Sequence, residues 1–164
     1  MTPKHVLDPA CGGKMFYFDK QNPNVEFCDL RHETHILCDG RAFKISPDKV
    51  CDFTDLPFDN ESFNLVIFDP PHLINVGQDS WLYKKYGRVP KDFAPYLKTG
   101  FSECFRVLRE GGTLIFKWNE IDIKVSEILK LTPERPLLGH KSGKNAKTHW
   151  IVFYKPERKP TPHE

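Results

Sequence analysis

Two consecutive prolines, Pro70 and Pro71, constrain this chain more than any other pair of residues. Proline has no backbone N–H and holds φ near about −65°, so the pair fits neither a sheet ladder nor a helix interior and makes a rigid turn. They follow Asn64-Leu65-Val66-Ile67-Phe68, an apolar run with β-branched residues that reads as a buried parallel strand. Asp69 sits at the junction, and its carboxylate and the Pro70 carbonyl face whatever crevice lies beyond the strand end. Both groups only accept hydrogen bonds, so this edge suits a ligand that donates them, such as an amino group.

The chain has 164 residues, enough for one domain that buries roughly two-thirds of its unfolded surface. We expect a single domain over residues 1–155 and an unstructured tail over 156–164, where Pro160 and Pro162 lie among charges. Residues 1–72 hold 7 Lys+Arg against 12 Asp+Glu, and residues 73–164 hold 17 against 10. An acidic half that holds a polar cofactor and a basic half that meets an anionic substrate would give this split; so would solvated helix faces. Five cysteines without a C-x-x-C pair argue against a disulfide framework and a zinc ribbon and fit a reducing cytosol. Neither a signal peptide nor an apolar stretch of about 20 residues is present, so the expectation is a soluble cytoplasmic protein with no membrane contact.

The strand His5-Val6-Leu7 runs into Asp8-Pro9-Ala10-Cys11-Gly12-Gly13-Lys14. Small residues and glycines after a strand let a ligand approach the backbone, as in the first turn of nucleotide-binding α/β folds. A second strand, Val25 to Cys28, ends at Asp29, placed to accept from both hydroxyls of a ribose; taken singly, it reads equally as a surface Asp. Residues 31–47 suggest a hairpin turning at Asp39-Gly40 in place of a helix. Lys49-Val50-Cys51 is a third parallel strand, ending at Asp52-Phe53. Ligands bind beyond the carboxyl ends of parallel strands, so Asp8, Asp29, Asp52 and Asp69 are expected to share one rim.

Residues 73–91 show no period but interleave Trp81, Tyr83 and Tyr86 with Lys84, Lys85, Arg88 and Lys91. Rings among cations can stack bases and neutralise phosphates, and a lid over a small ligand would have the same composition. A helix over 93–109, capped by Asp92, carries the apolar stripe Phe93, Leu97, Phe101, Cys104, Phe105, Leu108 and stops at Gly111-Gly112. Strands at 113–118, 136–139 and 149–154 and a helix over about 122–131 complete the reading. If the strand near Leu137 is parallel to the others, the turn after it brings Lys141, Lys144 and Lys147 beside Asp69.

The Asp8–Gly13 turn, Asp29, Asp52-Phe53, Asp69-Pro70-Pro71-His72 and Leu108-Arg109-Glu110-Gly111-Gly112-Thr113 together resemble the ordered motifs of the class I S-adenosylmethionine-dependent methyltransferases. The Lys14–Lys20 stretch, the Asp-Pro-Pro-His turn and Gly139–Lys144 with Thr148-His149-Trp150 are similar to small phage- and prophage-encoded members. The resemblance implies a Rossmann-like α/β fold with a seven-stranded sheet, six strands parallel and the last antiparallel, flanked by helices. It implies S-adenosyl-L-methionine as cofactor, with Asp8, Pro9, Ala10, Cys11, Gly12 and Gly13 around its methionine part, Asp29 on the ribose, Asp52 and Phe53 on the adenine, and Asp69 bordering both ligands. Asp69, Pro70, Pro71 and His72 would carry catalysis on an exocyclic amine of a nucleobase in DNA or RNA. Trp81, Lys84, Lys85, Arg88, Lys141, Lys144 and Lys147 would bind the nucleic acid, and no metal is needed. A noncatalytic accessory subunit that binds cofactor or nucleic acid, or a methyltransferase for small molecules or proteins, is the alternative.

Three departures carry weight. Lys14 replaces a further glycine, which would crowd the cofactor or set a cation by its carboxylate. His72 replaces the usual aromatic residue, and an ordinary histidine pKa near about 6.5 would make base binding pH-sensitive. From the short stretch before the first strand we expect no cover for the cofactor and no target-recognition domain, which a second copy or a separate specificity partner could supply.

Overall fold

A computed structural model of the chain describes residues 3–158. Its main sheet has seven strands in the order β5-β2-β1-β6-β7-β9-β8. These are β1 (Val6–Asp8), β2 (Val25–Asp29), β5 (Lys49–Val50), β6 (Phe63–Phe68), β7 (Leu108–Asn119), β8 (Leu138–Ser142) and β9 (Thr148–Tyr154). The pairs β1–β2, β1–β6, β2–β5 and β6–β7 are parallel. β9 is antiparallel to both β7 and β8, so β8 runs with the other strands and only the last strand is reversed, as expected. The sheet order reverses direction at β1–β6, which opens a crevice beyond the carboxyl ends of these two strands.

Between β2 and β5 the chain makes an antiparallel hairpin, β3 (Glu33–Ile36) and β4 (Ala42–Ile45). Gly40 closes its turn with φ of +82°, a conformation glycine adopts without strain. Three helices follow: α1 (Trp81–Tyr86), α2 (Phe93–Val107) and α3 (Val125–Leu129). α2 crosses from β6 to β7 and buries Leu97, Gly100, Phe101, Cys104, Phe105 and Val107. Phe101 meets the Phe68 ring at 5.4 Å and the Phe116 ring at 4.9 Å. Each such ring removed from water contributes roughly 1.5–3 kcal/mol, and truncating Phe101 to alanine would cost about 3–5 kcal/mol. The alternation of β7, where Leu114, Phe116 and Trp118 are fully buried, turns Lys117 to the other face.

Several local readings are corrected. The aromatic and basic stretch contains α1, whose amino end is capped where Ser80 Oγ accepts from the Tyr83 amide at 3.1 Å. α1 buries no residue, which is why it leaves no apolar period. Asp92 makes no side-chain capping bond. α2 ends at Val107 and β7 begins at Leu108, so Gly111 and Gly112 lie inside the strand and not at a helix stop. The β6–β7 ladder slips there, from Phe63 paired with Leu108 to Leu65 paired with Thr113. A side chain at Gly112 would meet the Arg109 and Asn64 carbonyls at 2.7 and 2.9 Å, so the slip requires glycine. Of the expected tail, residues 159–164 lie outside the described residues, while Arg158 pairs with Glu110 at 2.9 Å.

Candidate active site

The carboxyl ends of β1, β2, β6 and β7 surround a cavity of about 250 Å³. Its floor is the turn Pro9-Ala10-Cys11-Gly12-Gly13. A side chain on Gly13 would meet the Phe43 ring at 2.6 Å, so glycine here lets the hairpin close against the turn.

Two of the four expected rim carboxylates line this cavity, Asp29 and Asp69; Asp8 and Asp52 do not. Asp8 is fully buried beneath the turn. It accepts from the Tyr17 hydroxyl at 2.8 Å and the Ala10 amide at 3.1 Å, and burial pushes its pKa up to about 7 against those two bonds. Asp52 folds back onto its own turn and accepts from the Thr54 amide and hydroxyl at 2.9 and 2.8 Å, the local competition typical of Asp at strand ends. Phe53 does line the cavity, with Tyr96 packed on it at 4.7 Å between ring centroids.

Asp29 Oδ2 accepts from the Gly12 amide at 2.8 Å, and Oδ1 accepts from the Arg31 amide at 2.9 Å and from Arg31 Nε at 3.4 Å. Arg31 also donates to the Lys84 carbonyl at 3.1 Å, which ties α1 to the end of β2. Lys14 is absent from the cavity wall: its ammonium donates to the Lys20 carbonyl at 3.3 Å and lies 4.1 Å over the Phe27 ring. It therefore crowds no ligand from within the cavity, although its own φ is +52°.

At the end of β6, Asp69 Oδ2 accepts from Lys117 Nζ at 2.8 Å. The basic group beside Asp69 is thus Lys117 of β7, and not the expected Lys141, Lys144 and Lys147. Lys141 lies in β8, and Lys144 and Lys147 lie between β8 and β9; both strands are outward of β7, and none of the three lysines lines the cavity. Burial raises the Asp69 pKa while the Lys117 ammonium lowers it, and burial prevails. Lys117 was legible as the single charge in the run Thr113–Trp118, since a lysine on a central strand requires a partner.

Pro70, Pro71 and His72 line the same wall. The His72 ring stands 5.4 Å from Tyr86 and 6.2 Å from Trp118. Burial, helped by the Lys117 charge and opposed by Asp122, pushes its pKa down to about 4. The imidazole is neutral across the physiological range, which corrects the expected switch near neutrality. Tyr83, Lys85, Tyr86 and Arg88 line the cavity beside this turn, whereas Trp81 and Lys84 face a second cavity between α1 and the hairpin. Trp81 meets Phe43 edge-on at 5.5 Å. Met15, Phe16, Leu30, Arg31, Glu33, Gly87, Tyr96 and Lys117 also line the first cavity; apart from Lys117, none of them is marked by a local sequence signal.

Solved structures overlap this arrangement over most of its length. A protein from Pyrococcus horikoshii OT3 superposes with a TM-score of 0.60 at 16% identity, covering 93% of this chain and 82% of that one. Geranyl diphosphate C-methyltransferase from Streptomyces coelicolor A3(2), in complex with Mg2+, geranyl diphosphate and S-adenosyl-L-homocysteine, gives 0.55 at 13% identity, covering 93% and 71%. A TehB-like SAM-dependent methyltransferase from Corynebacterium glutamicum gives 0.56 at 15% identity, covering 93% and 80%. The fold is that of the class I methyltransferases. No protein-family model and no curated protein sequence matches the chain. Within this fold, the Pro9–Gly13 turn, Asp29 and Asp69 line the crevice at the centre of the sheet. Among the described residues, no helix is long and apolar enough to cross a membrane, and no group of three or more His, Cys, Asp or Glu is placed to hold a metal ion.

Proposed function

We propose that this chain is an S-adenosylmethionine-dependent methyltransferase acting on an exocyclic amine of a nucleobase in DNA or RNA. The observation that carries the reading is Asp69, an acceptor carboxylate on a rigid Pro-Pro turn, in the same cavity as the backbone floor at Gly12-Gly13 and the Asp29 carboxylate. The residues fit the cofactor: the open floor suits its amino-acid part, Asp29 the ribose, and the Phe53 and Tyr96 rings the adenine. S-adenosylmethionine supplies a methyl group on a sulfonium sulfur, transferable to a nucleophile in line with the carbon–sulfur bond.

The work of the chain is to make a poor nucleophile competent. The lone pair of a base amine is delocalised into its ring. Acceptors on its two N–H groups, Asp69 and the Pro70 carbonyl, favour a pyramidal nitrogen whose lone pair is available. Neutral His72, with the Tyr86 ring tilted 54° to it, offers aromatic surface to hold the base, which is largely a positioning task. As the new N–CH3 bond forms, the nitrogen sheds a proton, and Asp69, made more basic by burial, is the nearest group to take it.

A small-molecule acceptor is the second reading. It is favoured by the position of Lys141, Lys144 and Lys147 away from the cavity wall, and by the small-molecule substrate of the Streptomyces enzyme. The deciding experiment offers methyl-labelled cofactor with single-stranded DNA, duplex DNA, RNA and free nucleosides and nucleotides, beside Asp69→Ala. Label in one polymer, lost in Asp69→Ala and reduced several-fold when the three lysines become alanine, supports the first reading. Label in the free acceptors alone supports the second. Cofactor binding by calorimetry with no transfer to any acceptor would leave the chain as a binding subunit and overturn both.

A further inference from the structure

The β6–β7 ladder pairs Ile67 with Ile115 and Phe68 with Phe116, and one further step along it sets Asp69 beside Lys117. Lys117 Nζ donates to Asp69 Oδ2 at 2.8 Å. It also lies 5.4 Å from the Phe16 ring centroid and 5.6 Å from that of Trp150, so the ammonium rests among two rings and one carboxylate oxygen. Among the described residues no donor reaches the other oxygen, Oδ1. Both side chains border the cavity and retain about a fifth of their exposure, 23% for Lys117 and 21% for Asp69.

A pair of this kind adds little net stability, because desolvating the two charges offsets much of their attraction. Its geometry serves the carboxylate instead. We propose that Lys117 is a positioning residue for the acceptor-activating carboxylate: by holding Oδ2 it fixes the orientation of Asp69 and leaves Oδ1 as the oxygen that meets the acceptor amine. This rests on the amine-methylating reading above. Lys117 has a second role in the same contact, since its charge opposes the rise that burial imposes on the Asp69 pKa. Lys117 on β7, Asp8 on β1 and Tyr17 on the β1–β2 connection act on or feel the Asp69 charge, and His72, Asp29, Arg31, Glu33, Lys85 and Arg88 line the same cavity. Among these cations Lys117 is the one hydrogen-bonded to Asp69.

The test follows the Asp69 carboxyl carbon by NMR in carbon-13 aspartate-labelled protein, its resonance assigned by its loss in Asp69→Asn. Wild type, Lys117→Met and Lys117→Arg are compared, with Lys117→Gln in place of Lys117→Met if the latter does not fold. In Lys117→Met the Asp69 titration should move up by about 1–3 pH units, the reach of a neighbouring charge, and Lys117→Arg should restore it. The acid limb of kcat/KM for the labelled acceptor should move up by the same interval, so that the variant loses more at the acid end of the profile than at its alkaline end. An unchanged Asp69 titration, or a loss of kcat/KM by one factor at every pH, would overturn the proposal. Absence of transfer by the wild type overturns the amine-methylating reading, and the carbon titration then decides by itself whether Lys117 governs the carboxylate.

Discussion

Asp29 Oδ2 accepts a hydrogen bond from the amide of Gly12 at 2.8 Å. The residue that ends β2 therefore fixes the turn that ends β1, and the floor of the cavity depends on a carboxylate 17 positions away. Asp29→Ala removes the acceptor and leaves the Gly12 and Arg31 amides without it. Urea unfolding should show a loss of about 1–3 kcal/mol. Calorimetry should show cofactor affinity falling by about tenfold or more. Asp29→Asn, which keeps one acceptor oxygen, should lose less of each. A variant as stable as the wild type with unchanged affinity would remove Asp29 from the floor.

Asp8 gives the protein an inverted pH dependence for a carboxylate. Burial raises its folded pKa to about 7, above the unfolded value, so the native state holds more protons than the unfolded chain between about pH 4 and 7. The stability it contributes is full below pH 4 and is lost as pH rises through 7. The loss is on the order of 4 kcal/mol. Urea midpoints at pH 5 and pH 8 measure it, and Asp8→Asn should flatten the difference. Tyr17→Phe should destabilise at pH 8 more than at pH 5, because the Tyr17 hydroxyl donates to the ionised form.

His72 should titrate far below a free histidine. Its ring signals, followed by proton NMR, should move only below pH 5, in line with a pKa pushed down to about 4. The folded pKa lies below the unfolded one, so its contribution to stability is present above about pH 6.5 and is lost as pH falls through 4. Acceptor affinity should show no step near pH 6.5 from this residue. His72→Phe should keep affinity within a few-fold, and His72→Ala should not. A ring titrating near 6.5 would place His72 in water.

Gly100 lies on α2 where a methyl group would meet the Phe53 ring at 2.7 Å and the Phe68 ring at 3.0 Å. Alanine improves helix propensity by about 1 kcal/mol, but overpacking costs about 1–3 kcal/mol. Gly100→Ala should lower Tm and, by displacing Phe53, weaken cofactor binding. Pairing it with Phe53→Leu should recover most of the Tm and little of the affinity.

The parts of this fold visible in the sequence were those whose signal is local. Apolar runs marked the strands, Asp39-Gly40 marked the hairpin, and the spacing from Leu97 to Phe105 marked the face of α2. What stayed hidden depends on which strand lies beside which. That Asp69 meets Lys117 follows from the register of β6 on β7, and that Lys144 does not follows from the order β7-β9-β8. Asp8 and Asp52 were read as rim carboxylates because strand ends share a rim; one is turned under by Tyr17 and the other is taken up by Thr54. α1 was invisible because a six-residue helix with no buried side chain imposes no period. The glycines after α2 were read as a helix stop, since nothing local distinguishes that from a slipped strand.

Arg31 reaches the Asp29 carboxylate with one nitrogen and the Lys84 carbonyl with another. The wall proposed to meet the acceptor and the carboxylate proposed to hold the cofactor are therefore two ends of one lever. A ligand seated on Asp29 and one seated against α1 should therefore influence each other through this one guanidinium. The affinity measured for either should depend on whether the other is bound, and replacing Arg31 should uncouple them.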